Sequence, residues 1–168
     1  AYKAAARELG MRVEVERSRS GNGAHAWIFF QEPIEARTAR QLGTVVVARA
    51  QAARHTMSLS TYDRFFPNQD TLPKGGFGNL IALPLQKGPR EAGNSAFLAE
   101  ELSPHEDQWA LLASARRVSL DEVLGILQRE LASNAFQLVQ YEDAAVASAE
   151  HALDSGSHKI VRGSYIGQ

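Results

Sequence analysis

The chain has 168 residues, of which 44% are hydrophobic and 22% charged, a composition typical of one globular domain with its own core. It contains no cysteine, which excludes a disulfide scaffold, a cysteine-ligated zinc site and a cysteine nucleophile. The formal net charge is −1, and the absence of a transmembrane-length apolar run and of a signal-peptide pattern argues against membrane spanning and secretion.

The first half of the sequence predicts a mixture of strands and helices. In chain order these are a helix over 2–9, strands over 11–16 and 25–30, a helix over 34–54, and strands over 57–62 and 79–85. Apolar and polar residues alternate over 11–16, which predicts a strand with one face in water. Residues 18–23, which include Asn22–Gly23 and two glycines, predict a turn that makes the first two strands an antiparallel hairpin.

The second half predicts mainly helices. Two S-x-x-E patterns, at Ser103 and Ser119, are typical of helix starts, and the helices are predicted to end near Arg117 and Ala132. A weaker helix is predicted over 142–153, followed by a linker that starts at 155–157. The organisation is therefore βαβ-like and then helical, and the unusual residues fall in two loops, 18–25 and 62–78.

The first of these loops is a glycine-rich turn. Such a turn between two strands exposes backbone N–H groups that can surround an anion. Ser20 adds a hydroxyl, and His25 opens the next strand beside the turn. The other candidates for a triphosphate-binding loop here are Arg17, Arg19, Gly21, Asn22 and Gly23. The pattern is not a Walker loop, and a plain hairpin turn with a surface histidine is the alternative.

The second loop is long and rich in polar groups. No regular structure is predicted over 63–78, and long irregular loops in compact domains are often functional. Asp63 and Asp70 offer carboxylate oxygens, which suit Mg²⁺ or Mn²⁺. Arg64 and Lys74 are candidates for contact with phosphate or with a nucleic-acid template. The alternative is that both aspartates only cap turns.

Charge is distributed unevenly along the chain. Residues 1–90 carry thirteen Lys and Arg against seven Asp and Glu, a net charge of +6, and residues 91–168 carry five against twelve, a net charge of −7. Fourteen of the eighteen basic residues are Arg, whose planar fork suits phosphate. The first half therefore favours a polyanionic partner, with ordinary solvated faces as the alternative.

Three stretches of sequence together carry a family resemblance. They are SRSGNGAHAWIFF over 18–30, YDRFFPNQD over 62–70 and PKGGFGNLIALPLQ over 73–86. In this combination the chain, from about residue 1 to 132, resembles the archaeo-eukaryotic primase superfamily, in particular the primase domain of TOTE conflict systems and CRISPR-associated primase-polymerases. The string over 65–86 is highly specific, and the Ser-Gly-His string alone is moderately so.

The resemblance implies roles for individual residues. Ser20 and His25 match the family's second motif, a serine followed a few residues later by a histidine, which contacts the phosphates of the incoming nucleotide. Asp63 best fits the metal-ligating aspartate of the third motif, and Asp70 is its rival. The first motif, an Asp-x-Asp or Asp-x-Glu pair, does not occur upstream of Ser20, and Ala82 stands where archaeal primases have an Arg.

The resemblance also implies a fold and a division of the chain. The expected fold is α+β, an RRM-like antiparallel sheet with packed helices, of which residues 1–132 would form the later part of a primase-polymerase catalytic core. Residues 133–168 lie beyond the resemblance, and their residue pattern predicts a helical extension and linker. Because the sequence begins at Ala1 in what reads as a helix, we expect it to be a piece of a longer chain and the fragment alone to be inactive.

The implied activity is template-dependent nucleotide transfer from NTP or dNTP to a 3′-hydroxyl, with Mg²⁺ or Mn²⁺ as cofactor. The implied partners are nucleoside triphosphates, a DNA or RNA template, and fused or neighbouring helicase, nuclease or CRISPR proteins, in a prokaryotic cytoplasm. A non-catalytic nucleic-acid binding module of the same fold is one alternative. A metal-dependent phosphohydrolase that uses the same loop carboxylates is another.

Overall fold

A computed structural model of the chain describes residues 1–53, 64–71, 74–75 and 80–133. Its elements are α1 (Tyr2–Glu8), β1 (Glu14–Arg17), β2 (Ala24–Trp27), β3 (Phe29–Phe30), α2 (Ala36–Ala52), α3 (Lys87–Glu91), α4 (Gln108–Ser114), β4 (Arg117–Val118) and α5 (Leu120–Ala132). The strand predicted over 57–62 and the helix predicted over 142–153 lie outside the described residues. None of the described helices is long and apolar enough to cross a membrane.

The fold is α+β, with a small antiparallel sheet centred on β1. Strand β2 pairs with one edge of β1 through the predicted hairpin, in a register that sets Glu16 opposite His25. Along the other edge, Phe97 forms an antiparallel bridge with Glu16, and the amide of Leu98 donates to the carbonyl of Val15 (2.7 Å). The hairpin is therefore held against a segment about eighty residues further along the chain.

The strand predicted over 25–30 is divided in the structure. Residues 24–27 pair with β1, whereas Phe29 and Phe30 form β3, which runs parallel to β4 in a second, two-stranded sheet. The chain therefore changes sheets at Ile28. The β4 strand was missed by the sequence analysis because two residues are too few to show a periodic pattern.

The hydrophobic core lies between the helices and the sheet. Apolar side chains of α1, α2 and α5 meet there at the three- and four-residue spacing of amphipathic helices. The buried core residues are Ala5, Ala6, Leu9, Met11, Val13, Leu42, Val45, Val46, Ala50, Val118, Val123, Ile126 and Leu127. The core fixes the position of β1, and with it the hairpin that β1 begins.

The predicted start of α5 is confirmed. The Ser119 hydroxyl accepts from the amide of Glu122, and the Glu122 carboxylate accepts from the amide of Ser119 (2.9 Å), a reciprocal capping box. The hydrogen bond from the Ser119 backbone is the main reason that the pKa of Glu122 is lowered. The helix ends at Ala132, as predicted.

The other predicted cap is wrong. The S-x-x-E pattern at Ser103 starts no helix: α4 begins at Gln108, and its N-cap is Asp107, four residues after Ser103. One carboxylate oxygen of Asp107 accepts from the amides of Trp109 (3.0 Å) and Ala110 (2.9 Å). The Ser103 hydroxyl donates to Glu101 instead. The local pattern at Ser103 is therefore overridden by the bridge between Leu98 and Pro104 next to it.

Two further predictions are wrong in the segment that follows the second loop. Residues 80–85 form no strand: Leu80 is 82% exposed, and Leu85 has a φ of +64°, which interrupts any extended run. The loop predicted over 87–95 contains the short helix α3. Apolar residues in a row are compatible with several local structures, so composition alone mispredicted this stretch.

The second loop packs against α2. The Phe65 ring lies so close to Gly43 that a Cβ built on this glycine would stand 2.5 Å from Cε1 of the ring. Asp70 pairs with Arg37 and Arg40 in the first turns of the same helix. Helix α2 therefore fixes the position of the described part of this loop.

We expect Gly43→Ala to destabilise the protein by about 1–2 kcal/mol, because the added methyl overlaps the Phe65 ring in a packed site. Gly125→Ala in α5 is the matched control. Its Cβ would meet only the Arg129 side chain, at 3.5 Å, so we expect the usual helix gain of about 0.5–1 kcal/mol. Chemical denaturation of both variants measures the difference. Equal stability of the two would contradict the close Phe65 contact.

Candidate functional site

The candidate site is built on the turn between β1 and β2. The Ser18 amide donates to the Gly23 carbonyl (2.8 Å), which closes the hairpin. Gly21 has a φ of +80°, and a Cβ there would lie 2.8 Å from the Asn94 Oδ1 atom. Both the backbone conformation and the close approach of Asn94 therefore require glycine at this position.

Three of the backbone N–H groups of this turn already have partners. The Gly21 amide donates to the Ser18 carbonyl (3.0 Å), the Asn22 amide to the Ser20 hydroxyl (3.4 Å) and the Gly23 amide to the Ser18 hydroxyl (3.0 Å). For these three amides the expectation of unpartnered N–H groups is corrected. A phosphate would reach the Asn22 and Gly23 amides only by replacing a serine hydroxyl, and Ser20 itself is exposed.

Next to the turn, the buried carboxylate of Glu16 accepts three hydrogen bonds. Its Oε2 atom lies 3.0 Å from Nδ1 of His25 and accepts from the Trp27 indole Nε1–H (2.9 Å). Its Oε1 atom accepts from the Ser95 hydroxyl (3.3 Å). Glu16 is only 1% exposed, so both oxygens are satisfied by protein groups rather than by bulk water.

This carboxylate determines how the His25 ring is presented. A carboxylate only accepts hydrogen bonds, so Nδ1 of His25 carries the hydrogen that faces Glu16. Nε2 is then the ring nitrogen that can contact a ligand. The His25 side chain is 32% exposed, so a ligand in the solvent can reach the ring.

The burial of Glu16 reverses an expectation for β1. The alternation over 11–16 predicted that the glutamate face of this strand would lie in water, but Glu14 and Glu16 are both buried while Val15 is half-buried. The reason is that Trp27 and Ser95 cover this face of β1 and donate hydrogen bonds to the Glu16 carboxylate. The alternating pattern identified the strand and misassigned its faces.

The rings of His25, Trp27 and Phe29 contact one another in a row. The rings of His25 and Trp27 meet edge to face at 6.5 Å, and those of Trp27 and Phe29 stack at 6.5 Å with an interplanar angle of 14°. Each ring fixes the next, and the Trp27 indole is also anchored on Glu16. The His25 ring is thus held from two sides.

The two arginines that flank the turn differ in their surroundings. The Arg17 guanidinium donates to the carbonyls of Leu102 (2.8 Å) and Gly93 (3.3 Å), which ties β1 to the segment that follows α3. Arg19 is exposed at the turn itself. Contact of either residue with phosphate stays a prediction, and the exposed Arg19 is the better placed of the two.

Asp70 already has two cationic partners. Its carboxylate accepts hydrogen bonds from Arg40 and, at 3.3 Å, from Nη2 of Arg37. The hydrogen bond from Arg40 is the main reason that the pKa of Asp70 is lowered. The ion pairs therefore stabilise the fold at pH values above the ordinary carboxyl range, and this contribution is lost as the pH falls through the lowered pKa.

The remaining loop candidates are Arg64 and Lys74, which the structure describes, and Asp63, which it does not. Arg64 and Lys74 are exposed. Asp63, the preferred metal ligand of the sequence analysis, lies outside the described residues. Whether the loop aspartates converge with His25 therefore stays a prediction, as do the template contacts of Arg64 and Lys74.

The candidate metal ligands of the described residues are not clustered. Within 1–53, 64–71, 74–75 and 80–133, no three or more His, Asp or Glu side chains are grouped so that they could hold a metal ion. Both oxygens of Glu16 accept hydrogen bonds from protein donors, and the Asp70 carboxylate is neutralised by two guanidinium groups. Either carboxylate would have to exchange these partners to bind Mg²⁺ or Mn²⁺, and Asp70 as a metal ligand stays a prediction.

The sequence analysis missed Glu16 and Ser95. A signal for Glu16 was present: pairing outward from the predicted turn over 18–23 sets it directly opposite His25, where a carboxylate and an imidazole become neighbours. Ser95 carries no comparable local signal, because it lies 79 residues from Glu16 in the chain.

Comparison with known families finds a match over most of the chain. The family model for the TOTE conflict system, Archaeo-Eukaryotic Primase domain, matches residues 1–126. The match covers well over half of the chain and includes the hairpin, His25 and the second loop. No curated protein sequence matches the chain.

Proposed function

The chain belongs to the archaeo-eukaryotic primase domain family of TOTE conflict systems, and we propose on this basis that it is the nucleotide-handling part of a primase-polymerase. In this proposal the β1–β2 hairpin binds the triphosphate of an NTP or dNTP. The nucleotide is then transferred to a 3′-hydroxyl paired with a DNA or RNA template. The sheet would be the RRM-like sheet of the family, with the hairpin at one end.

The observation that supports this most directly is the fixed His25 imidazole beside a serine-rich turn. Glu16 holds Nδ1, which leaves Nε2 for a phosphate oxygen. The Ser20 hydroxyl and the Arg19 guanidinium are exposed at the same turn. Donors and cations held in place before the substrate arrives stabilise charge on a phosphoryl group without reorganising during the reaction.

Divalent ions remain part of the proposal without a defined site. Mg²⁺ or Mn²⁺ would activate the attacking hydroxyl and neutralise the departing pyrophosphate. Asp63 is the candidate ligand that this chain contributes. No contact of the described residues depends on these ions.

A non-catalytic nucleic-acid binding module is the second candidate. It is favoured by the engagement of Glu16 and Asp70 with protein donors and by the net charge of +6 over residues 1–90. Both candidates share the proposed partners: a nucleic-acid strand and, in a prokaryotic cytoplasm, helicase, nuclease or CRISPR proteins. They differ in whether pyrophosphate is released during nucleotide incorporation.

The experiment is a comparison of His25→Ala with His105→Ala. Loss of a charge-assisted hydrogen bond to phosphate costs about 1.5–3 kcal/mol, so we expect His25→Ala to weaken NTP binding roughly 10- to 100-fold. His105, whose ring contacts the Asp107 carbonyl, is the matched control and should bind as the wild type does. Titration calorimetry measures binding, and labelled-nucleotide incorporation with Mn²⁺ by the protein as its gene encodes it measures transfer.

The outcomes of these measurements distinguish the candidate functions and test the role of the hairpin. Pyrophosphate release with primer extension supports the polymerase, and release of inorganic phosphate without extension supports a hydrolase. NTP binding that is unchanged by His25→Ala would remove the hairpin from the proposal. Nucleic-acid binding without NTP binding or incorporation supports the binding module.

A further inference from the structure

We propose that Glu16 is a positioning residue for His25: it holds the ring hydrogen on Nδ1 and thereby directs Nε2 toward the triphosphate. This inference rests on the proposed function, because it assumes that His25 contacts phosphate. Glu16 is buried and lies outside both of the loops that hold the predicted site residues. Glu16 acts through His25 and need not touch the nucleotide.

The geometry supports a dedicated contact. Glu16 and His25 are direct cross-strand partners, and their side chains meet at 3.0 Å on the same face of the sheet. The second donor to the same oxygen, the Trp27 indole, comes from the residue two positions after His25. The β2 strand thus presents two consecutive same-face donors to one carboxylate.

The third donor reaches Glu16 from the opposite edge of β1. Ser95 is 1% exposed and has a φ of +50°, so the backbone adopts an uncommon conformation at the residue that donates to Oε1. The Ser95 hydroxyl also accepts from the Gln86 amide (3.3 Å), which fixes its orientation. These contacts restrain both carboxylate oxygens, so the oxygen facing His25 cannot swing away easily.

The chemistry explains why a carboxylate matters at this position. A neutral imidazole can carry its hydrogen on either nitrogen, and the partner of one nitrogen decides which form is present. An acceptor-only group at Nδ1 keeps the hydrogen there. When a proton from solvent is added at Nε2, the imidazolium donates to Glu16 and to a phosphate oxygen at the same time.

A purely structural role for Glu16 makes a different prediction. If Glu16 only satisfied buried donors, its neutral amide analogue would change stability without changing the state of the His25 ring. Glu14 provides the matched comparison, since it lies on the same strand and the same face and is also buried, at 8% exposure. Its carboxylate faces Lys3 and Arg12 instead of His25.

The experiment measures the His25 ring directly by nitrogen NMR of histidine-labelled protein at a pH where the ring is neutral. We expect the wild type to carry the hydrogen on Nδ1. In Glu16→Gln the side-chain amide can donate to Nδ1, so we expect the hydrogen to shift toward Nε2. In Glu14→Gln the ring should stay as in the wild type. A wild-type ring with the hydrogen on Nε2 would overturn the inference, even if Glu16→Gln failed to fold.

A second measurement connects the ring to the nucleotide. We expect Glu16→Gln to weaken NTP binding about tenfold, as loss of an orienting partner of a histidine commonly does, and Glu14→Gln to leave it unchanged. If His25→Ala loses affinity while Glu16→Gln does not, the positioning role is wrong and the proposed function stands. If the wild type binds no NTP, the proposed function fails, and the positioning role toward phosphate fails with it.

Discussion

Substitution of Asp63 by alanine is expected to abolish nucleotide transfer, whereas substitution of Asp70 is expected to leave most of it. Asp70 already pairs with Arg37 and Arg40, and its pKa is lowered chiefly by the Arg40 hydrogen bond, as expected for a structural ion pair. This leaves Asp63 as the loop carboxylate proposed to bind the divalent ions. Loss of such a ligand removes stabilisation of the transition-state charge and should reduce the rate by more than about 10²-fold.

The measurement is labelled-nucleotide incorporation with Mn²⁺ by the protein as its gene encodes it, with both variants at equal concentration. Thermal unfolding of each variant shows whether it remains folded. Asp70→Ala should unfold more readily at neutral pH, since it removes the acceptor of two guanidinium groups. An inactive Asp70→Ala beside an active Asp63→Ala would show that the two roles are exchanged.

Loss of Glu130 is expected to have the largest effect on stability. Glu130 is 6% exposed on α5, and its two oxygens accept from Nε (2.9 Å) and Nη2 (2.7 Å) of Arg49 on α2. The pKa of Arg49 is raised mainly by this hydrogen bond. The pair therefore joins the two helices that enclose the core.

We expect Glu130→Ala to destabilise the fold by about 2–3 kcal/mol. That is less than for a fully buried pair, because the Arg49 side chain is 39% exposed and water can hydrate it after its partner is removed. Gln128→Ala, at an exposed position of the same helix, should change stability by less than about 0.5 kcal/mol. Urea unfolding of both variants measures these changes in stability. A Glu130→Ala midpoint that matches the Gln128→Ala midpoint would show that the ion pair contributes nothing.

The features that the sequence predicted well are those with local causes. The glycine-rich turn over 18–23 determined the hairpin, and the Ser119–Glu122 capping box determined where α5 begins. Each depends on residues within a few positions of one another. The family resemblance, carried by three strings of residues, is confirmed over 1–126.

The features that the sequence did not predict depend on distant residues. The faces of β1 were misassigned because Ser95 reaches Glu16 from 79 residues away. The cap at Ser103 failed because Leu98 and Pro104 pair with each other, which moves the helix start to Asp107. Local patterns report what a segment prefers, and long-range pairing decides which preference is realised.

Strand β1 pairs with β2, which is close in sequence, and with the segment at Phe97, which is far from it. This has a consequence for biosynthesis. A growing chain can form the β1–β2 hairpin as soon as residue 27 has left the ribosome, whereas the segment 95–98 arrives only after about seventy more residues. Until then Glu16 lacks its Ser95 donor, and one edge of β1 is open to pairing with other chains. Nascent chains halted before residue 95 should therefore be the species most prone to aggregate and most dependent on chaperones.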